Sequence, residues 1–183
     1  MTVQEWYSGP YSALASEIGA RTGVSPVVLT AQAAVESAYG SSVLATQCHN
    51  YSGVTFVGQA GASNRGGFAC YETDQAYVED MVRILNLPLY QRVREASGIE
   101  AQTVALADSP WSASHYGGGS SLLEIERQAG YDVSSGTPAG PSLAANGPNG
   151  LAIGGIAGAG MIAGTAALAA VLVAVVVALT KEA

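Results

Sequence analysis

The distribution of charge divides this chain into two parts. Every charged residue except Lys181 and Glu182 lies within residues 1–132, so residues 133–180 carry no charge. A soluble surface is rarely free of charge over such a length. Residues 151–180 consist almost entirely of Ala, Val, Leu, Ile and Gly, and about 20 apolar residues are enough for a helix to cross a bilayer. The composition therefore predicts one transmembrane helix over residues 151–180, in contact with a lipid bilayer.

The remaining residues predict one domain and a linker. Residues 133–150 are rich in Gly, Pro, Ser and Asn, a composition typical of a flexible linker. Residues 1–132 are enough for one compact domain and too few for two. They hold six of the seven basic and thirteen of the fourteen acidic residues. We therefore expect no nucleic-acid partner, because contacts to phosphates need basic patches.

Helical patterns dominate the predicted domain. Residues 11–22 carry apolar residues on one face and are followed by Gly23, a natural C-terminal cap. Ser25 and Pro26 are typical of a helix start, and this second helix is expected to run to about Tyr39. Residues 50–71 are rich in Gly, Thr, Val and aromatic residues and predict short strands. Further helices are expected within 42–47, 73–85, 88–96, 101–107 and 122–129. The predicted fold class is α+β, mostly helical, with a small β-lobe.

Glu36 is a single carboxylate in a helix of apolar and small residues. Burial would raise the pKa of this carboxyl group and keep it protonated near neutral pH, as a general acid requires. Gln32, Glu36 and Tyr39 are spaced at i, i+4 and i+7, so a continuous helix would place them on one face. The alternative is a structural Glu36, either partly exposed or held by hydrogen bonds.

Four motifs follow one another along the domain. They are Ala33 to Gly40 (Ala-Ala-Val-Glu-Ser-Ala-Tyr-Gly), His49 to Val54 (His-Asn-Tyr-Ser-Gly-Val), Phe68 to Tyr71 (Phe-Ala-Cys-Tyr), and the aromatic residues Trp111 and Tyr116. Their order and spacing resemble the bacterial glucosaminidases of glycoside hydrolase family 73, over roughly residues 10–132. The resemblance implies a lysozyme-like domain that cleaves the glycan strands of peptidoglycan as an endo-β-N-acetylglucosaminidase. It also implies that Glu36 is catalytic.

Aromatic rings and amide groups near Glu36 are the candidates for binding sugar. These candidates are Gln32, Tyr39, Asn50, Tyr51, Trp111 and Tyr116, of which Tyr116 matches the downstream tyrosine of the family. For Trp111 the sequence favours a position in the core over one in the sugar-binding site. The chain departs from the family pattern at three positions: His49 replaces the first Asn of a pair, Ser52 replaces an aromatic residue, and Thr55 replaces the usual Lys.

The second catalytic group is harder to assign than the first. Glycosidases of this type use an acid together with a nucleophile or an activated water, yet no carboxylate occurs between Glu36 and Glu72. Glu72 and Asp74 are therefore candidates, although they also suit a surface position and a helix start. Alternatively, the enzyme is a lytic transglycosylase with a single catalytic Glu, in which the muramoyl 6-hydroxyl attacks. A substrate acetamido group is a third candidate for the nucleophile.

The two cysteines and two histidines leave less to interpret. Cys48 and Cys70 lie 22 positions apart at the ends of the predicted β-lobe, and they are a candidate disulfide or two buried thiols. The histidines have no clustered spacing, so we expect no metal site. Phosphate loops and dinucleotide fingerprints are not found, and no cofactor is expected.

Two classes of function remain open. The N-terminus shows no secretory signal peptide, so the sequence predicts a single-pass membrane protein with a C-terminal anchor. A wall-cutting enzyme of this kind would suit the internal membrane of a virus particle, such as a bacteriophage, where it would penetrate the host wall beside other virion or membrane proteins. The alternative is a non-catalytic wall-binding protein or a structural virion membrane protein.

Overall fold

A computed structural model describes residues 1–112 and 115–134 of the 183-residue chain. The predicted transmembrane segment, residues 151–180, lies outside these described residues. Residues 135–150 of the predicted linker also lie outside them. Within the described ranges, no helix is both long enough and apolar enough to cross a bilayer.

The described chain is mostly helical. Its α-helices are α1 (Val3–Tyr7), α2 (Tyr11–Thr22), α3 (Pro26–Ser37), α4 (Val43–Cys48), α5 (Asp74–Leu85), α6 (Gln91–Glu95), α7 (Ile99–Ala107) and α8 (Ser120–Gln128). Short 3-10 helices cover Pro88–Tyr90 and His115–Gly117, and the strands are β1 (Ala62–Arg65) and β2 (Phe68–Tyr71). The prediction of a mostly helical α+β domain with a small β-lobe is confirmed.

Local capping explains where several helices begin and end. The Ser25 hydroxyl accepts a hydrogen bond from the Val27 amide at the start of α3, and the Thr73 hydroxyl accepts one from the Ala76 amide at the start of α5. Such side chains satisfy amide groups that a helix cannot pair internally. Helix α2 ends at Gly23, whose φ of 81° suits glycine.

Helix α3 is the central element of the core. It packs against α2 on one side and α8 on another, and nearly all of its residues from Val27 to Ala34 are buried. Its alanines at positions 31, 33 and 34 are almost fully buried, which lets neighbouring helices approach closely. The Trp6 indole also donates a hydrogen bond to the Thr30 carbonyl, at 2.9 Å. The helix that carries Glu36 is therefore held on several sides.

The β-lobe covers residues 50–71 and consists of a loop followed by a two-stranded hairpin. Strands β1 and β2 are antiparallel, with Ala62 opposite Tyr71 and Arg65 opposite Phe68. A disulfide between Cys48 and Cys70 links the end of α4 to β2. This covalent link and the loop that begins at Asn50 determine where the hairpin lies relative to α3.

Candidate active site

Glu36 lies in the last turn of α3, and its side chain is partly buried. The helix ends at Ser37 because Ala38 turns into the left-handed region, with φ of 50°. The Ser37 hydroxyl closes this end by donating to the Ala33 carbonyl and accepting from the Gly40 amide. Tyr39 also has a positive φ of 56°. The predicted continuation of the helix to Tyr39 is therefore wrong, and Tyr39 does not share a helical face with Glu36.

The Glu36 carboxyl group lies between Tyr116 and the β-lobe. The Tyr116 hydroxyl donates a hydrogen bond to Oε1 of Glu36, at 2.5 Å. On the other side, a Cβ atom added at Gly53 would lie 3.4 Å from Oε2, and Gly53 has φ of +63°. Glycine at this position lets the backbone pass close to the carboxyl group without strain.

Burial sets the protonation of Glu36. Partial removal from water raises the pKa of this carboxyl group, because the charged form loses hydration. The hydrogen bond from Tyr116 acts in the opposite direction and lowers the pKa, since it stabilises the carboxylate. The net pKa is raised, which favours the protonated acid at a higher pH than for an exposed glutamate.

A glycine-rich turn brings Tyr116 to Glu36. His115 and Tyr116 have positive φ values of 49° and 47°, and three glycines follow at positions 117–119. The His115 ring nitrogen Nδ1 is 2.6 Å from the Ala107 carbonyl oxygen, and the Ser121 hydroxyl donates to the Tyr116 carbonyl. Tyr116 itself is buried. Two non-glycine residues held at positive φ beside a reactive group are typical of functional sites.

Gln32 lies one helical turn before Glu36 and is buried rather than exposed in a cleft. Its side-chain Oε1 accepts a hydrogen bond from the Ser52 hydroxyl, at 3.0 Å. Ser52 is also buried, and the sequence had not indicated it as a site residue. The available signal was that Ser52 stands where the family resemblance expects an aromatic residue.

Asn50 supports the β-lobe from within. Its amide nitrogen donates to the carbonyl groups of Val54 and Ala69, and its Oδ1 accepts from the Val54 amide. The side chain is almost completely buried. Asn50 therefore shapes the segment that passes Glu36, and its role in binding sugar stays a prediction that its burial does not favour.

Asp74 is joined to the segment that leads into the β-lobe. Its Oδ1 accepts a hydrogen bond from the Tyr51 hydroxyl at 2.9 Å and lies 2.8 Å from Nδ1 of His49. Burial, together with Asp74, raises the pKa of Tyr51. Glu72 is exposed just after β2. Of the two candidate carboxylates, only Asp74 is held in place by these neighbouring side chains.

Tyr39 and Trp111 are both partly exposed aromatic residues. The ring of Tyr39 meets Trp6 edge-on, with ring centres 6.2 Å apart, and the ring of Trp111 packs against Tyr90 at 5.7 Å. Each ring is therefore fixed by an aromatic neighbour and keeps part of its surface in solvent. Among residues 1–112 and 115–134, no cluster of three or more His, Cys, Asp or Glu could hold a metal ion.

A family model described as Glucosaminidase, mannosyl-glycoprotein endo-beta-N-acetylglucosaminidase, matches residues 12–131. The chain belongs to the glucosaminidase family. This glucosaminidase is accordingly a glycoside hydrolase, and the matched span contains Glu36, Tyr116 and every other candidate site residue. A comparison with curated proteins finds no match.

Solved structures with the same fold include two bacterial proteins. One, from Pseudomonas protegens, belongs to a type VI secretion system effector-immunity complex; it is 16% identical, with a TM-score of 0.54, and the match covers 70% of this chain and 94% of that one. The other is a peptidoglycan hydrolase from Sphingomonas sp. A1, 18% identical, with a TM-score of 0.54 and coverage of 67% and 86%. At these identities the likeness establishes the fold of the glucosaminidase.

Proposed function

We propose that this glucosaminidase cleaves the glycan strands of peptidoglycan, with Glu36 as the general acid. The observation that carries the proposal is the environment of the Glu36 carboxyl group: its pKa is raised by burial, it accepts a hydrogen bond from Tyr116, and it faces Gly53. The peptidoglycan hydrolase among the structural neighbours supports this class of substrate.

The proposed reaction begins with proton transfer from Glu36. A general acid must reach the bridging glycosidic oxygen at about 3 Å and give up its proton as the bond breaks. The resulting carboxylate keeps the hydrogen bond from Tyr116, which favours the charged form. Gly53 places no side chain of its own beside the carboxyl group, where a Cβ atom would lie 3.4 Å from Oε2. Partial burial limits access of bulk water to the acid.

The lack of a carboxylate in the β1–β2 hairpin supports a second candidate reaction. The hairpin of β1 and β2 carries Ser63, Asn64 and Arg65 but no Asp or Glu. A lytic transglycosylase needs one acid, because the muramoyl 6-hydroxyl of the substrate attacks the sugar. A hydrolase would instead use Asp74 or Glu72, or the acetamido group of its substrate. We place Asp74 before Glu72 because His49 and Tyr51 hold it.

Product analysis separates these reactions. The full chain in detergent would be incubated with purified peptidoglycan beside a Glu36→Gln variant, and the soluble fragments would be identified by mass spectrometry. Reducing N-acetylglucosamine ends that disappear in the variant support the hydrolase. Anhydromuramoyl ends support the transglycosylase. A folded protein that releases no fragments would support a wall-binding or structural role instead.

Membrane attachment and association with a virus particle are parts of the same proposal. They rest on the apolar, uncharged segment 151–180, which is long enough to span a bilayer. The Pseudomonas neighbour was solved with an immunity protein, so a protein inhibitor of this enzyme is a further candidate partner. Flotation of the full chain with phospholipid vesicles, compared with a chain lacking residues 151–180, tests the attachment. Equal recovery of both chains in the vesicle fraction would contradict it.

A further inference from the structure

The disulfide between Cys48 and Cys70 has two chemically different ends. Cys48 ends α4 and is fully buried, whereas Cys70 lies in β2 and is partly exposed. A thiolate from solvent therefore has access to Sγ of Cys70 but not to Sγ of Cys48. Thiol–disulfide exchange proceeds by attack of a thiolate on one of the two sulfurs. The exposed sulfur is thus the point of attack, and the buried sulfur is the leaving group.

A guanidinium group lies beside the buried sulfur. Arg65 donates a hydrogen bond from one terminal nitrogen to Sγ of Cys48, at 3.3 Å, and one from the other to Oε1 of Gln47, at 2.6 Å. No carboxylate among the described residues forms an ion pair with Arg65. An uncharged disulfide sulfur is a weak acceptor, whereas a thiolate beside a guanidinium group is stabilised by the opposite charge. A leaving thiolate that its surroundings stabilise departs faster.

The exposed sulfur also has a neighbour that suits a thiol. Sγ of Cys70 lies 3.9 Å from the Gln47 carbonyl oxygen. A disulfide sulfur has no proton to donate, but a thiol at this position can donate one to that carbonyl. Both products of reduction therefore have a partner in place: a thiolate at Cys48 has Arg65, and a thiol at Cys70 has the Gln47 carbonyl.

The β-lobe has other attachments that do not involve sulfur. The Asn50 side chain donates to the carbonyl groups of Val54 and Ala69, and the Tyr71 hydroxyl donates to Oδ2 of Asp80, at 2.7 Å. These bonds remain when the disulfide opens. Reduction therefore releases one link between α4 and β2 without detaching the lobe, so the disulfide can open and close in the folded protein.

We propose that Cys48 and Cys70 form a thiol-exchange site that a dithiol reductant opens, with Arg65 assisting the departure of Cys48. A thiolate of the dithiol attacks Sγ of Cys70 and forms a bond to it, while the bond between the cysteines breaks and its electron pair goes to Sγ of Cys48. The second thiolate of the dithiol then displaces Cys70, so the dithiol is oxidised to a disulfide and the two cysteines are reduced. Of the two dithiol protons, one ends on Cys70 and the other in solvent. This site is separate from the proposed cleavage of glycan.

The first test compares the wild type with Arg65→Gln, each as the full chain in detergent, in mixtures of reduced and oxidised dithiothreitol. Alkylation followed by intact-mass spectrometry gives the reduced fraction. We expect Arg65→Gln to lower the equilibrium constant for reduction about tenfold, or about 30 mV, because the Cys48 thiolate loses its charged partner. General loosening of the lobe would act in the opposite direction, because it lowers the effective concentration of the two thiols. Arg92→Gln, at an exposed position in α6, is the matched control and should leave the constant unchanged.

The second test maps the point of attack in the wild type and needs no variant. The folded full chain is treated with reduced glutathione, quenched with acid at early times, and analysed by peptide mass mapping. We expect the mixed disulfide on Cys70 and the free thiol on Cys48. A mixed disulfide mainly on Cys48 would overturn the inference, as would an Arg65→Gln chain that is reduced as readily as the wild type. If Arg65→Gln does not fold, the position of the mixed disulfide decides alone. Neither readout depends on cleavage of peptidoglycan, so a failure of the proposed function leaves both tests intact.

Discussion

Replacing Tyr116 by Phe tests how the Glu36 carboxyl group is tuned. The substitution keeps the buried ring and removes only the hydroxyl that donates to Oε1 of Glu36. A hydrogen bond to a charged group contributes about 1.5–3 kcal/mol, and one pKa unit corresponds to about 1.4 kcal/mol. Glu36 is partly exposed, so the lower end of that range applies. We therefore expect the pKa of Glu36 to rise by about one unit.

The direction of this effect on activity is fixed by the role of the acid. Glu36 must be protonated to act, so activity falls as pH rises through its pKa, and Tyr116→Phe should move that fall to higher pH by about one unit. We also expect kcat below the limb to decrease about tenfold or more, because the new carboxylate loses its donor. The assay is release of reducing ends from peptidoglycan across a pH series.

Tyr7→Phe is a matched control for this substitution. The Tyr7 hydroxyl donates to the Val27 carbonyl, at the start of α3 and away from Glu36. Its loss should lower stability slightly and leave the pH profile unchanged. A Tyr116→Phe enzyme whose alkaline limb stays in place, or moves to lower pH, would refute the reasoning that this hydrogen bond stabilises the Glu36 carboxylate.

Three further predictions concern other groups. Burial raises the pKa of Glu126 to about 7 from an ordinary value of 4.5, so ionisation of this group opposes folding as the pH rises across that interval. Glu126→Gln should therefore increase the free energy of unfolding by at most about 3 kcal/mol at pH 8 and by little at pH 4. An equal increase at both pH values in urea titrations would contradict this. Replacing Cys48 and Cys70 by Ser should lower the free energy of unfolding by about 3 kcal/mol, since the disulfide joins residues 22 positions apart. The wild type under reducing conditions is the control and should lose a similar amount. A urea midpoint equal to that of the oxidised wild type would count against this prediction. Asp74→Asn should reduce kcat at least about a hundredfold if Asp74 is the second catalytic group, and Glu72→Gln should do so if Glu72 is. Activity of both variants within about threefold of the wild type would favour a reaction that needs no second carboxylate.

Much of the helical frame could be predicted because its signals are local. Gly23, Ser25 and Thr73 mark helix ends by their own side chains or by the lack of one. The first helix was missed although Thr2 and Glu5 form a capping box, a signal that the sequence does contain. The end of α3 could not be predicted, because Ala38 adopts a left-handed conformation that alanine rarely favours.

The site was only partly predictable because its contacts join distant residues. Glu36 stands out as a lone carboxylate in an apolar helix, and Tyr116 follows from the family resemblance. Their hydrogen bond spans 80 positions along the chain, and the bond between Gln32 and Ser52 spans 20. Neither spacing has a local pattern. Only the packing of α3 against the lobe and the glycine-rich turn brings these pairs together.

The central claim is that Glu36 supplies the proton that breaks the glycosidic bond. The most direct test compares the rate of glycan-bond cleavage in purified peptidoglycan for the wild type and Glu36→Gln, with both proteins shown to be folded. The amide keeps the shape of the side chain but cannot donate an acidic proton. We predict that the variant loses at least about a thousandfold in kcat. A Glu36→Gln enzyme within about tenfold of the wild type would contradict the account.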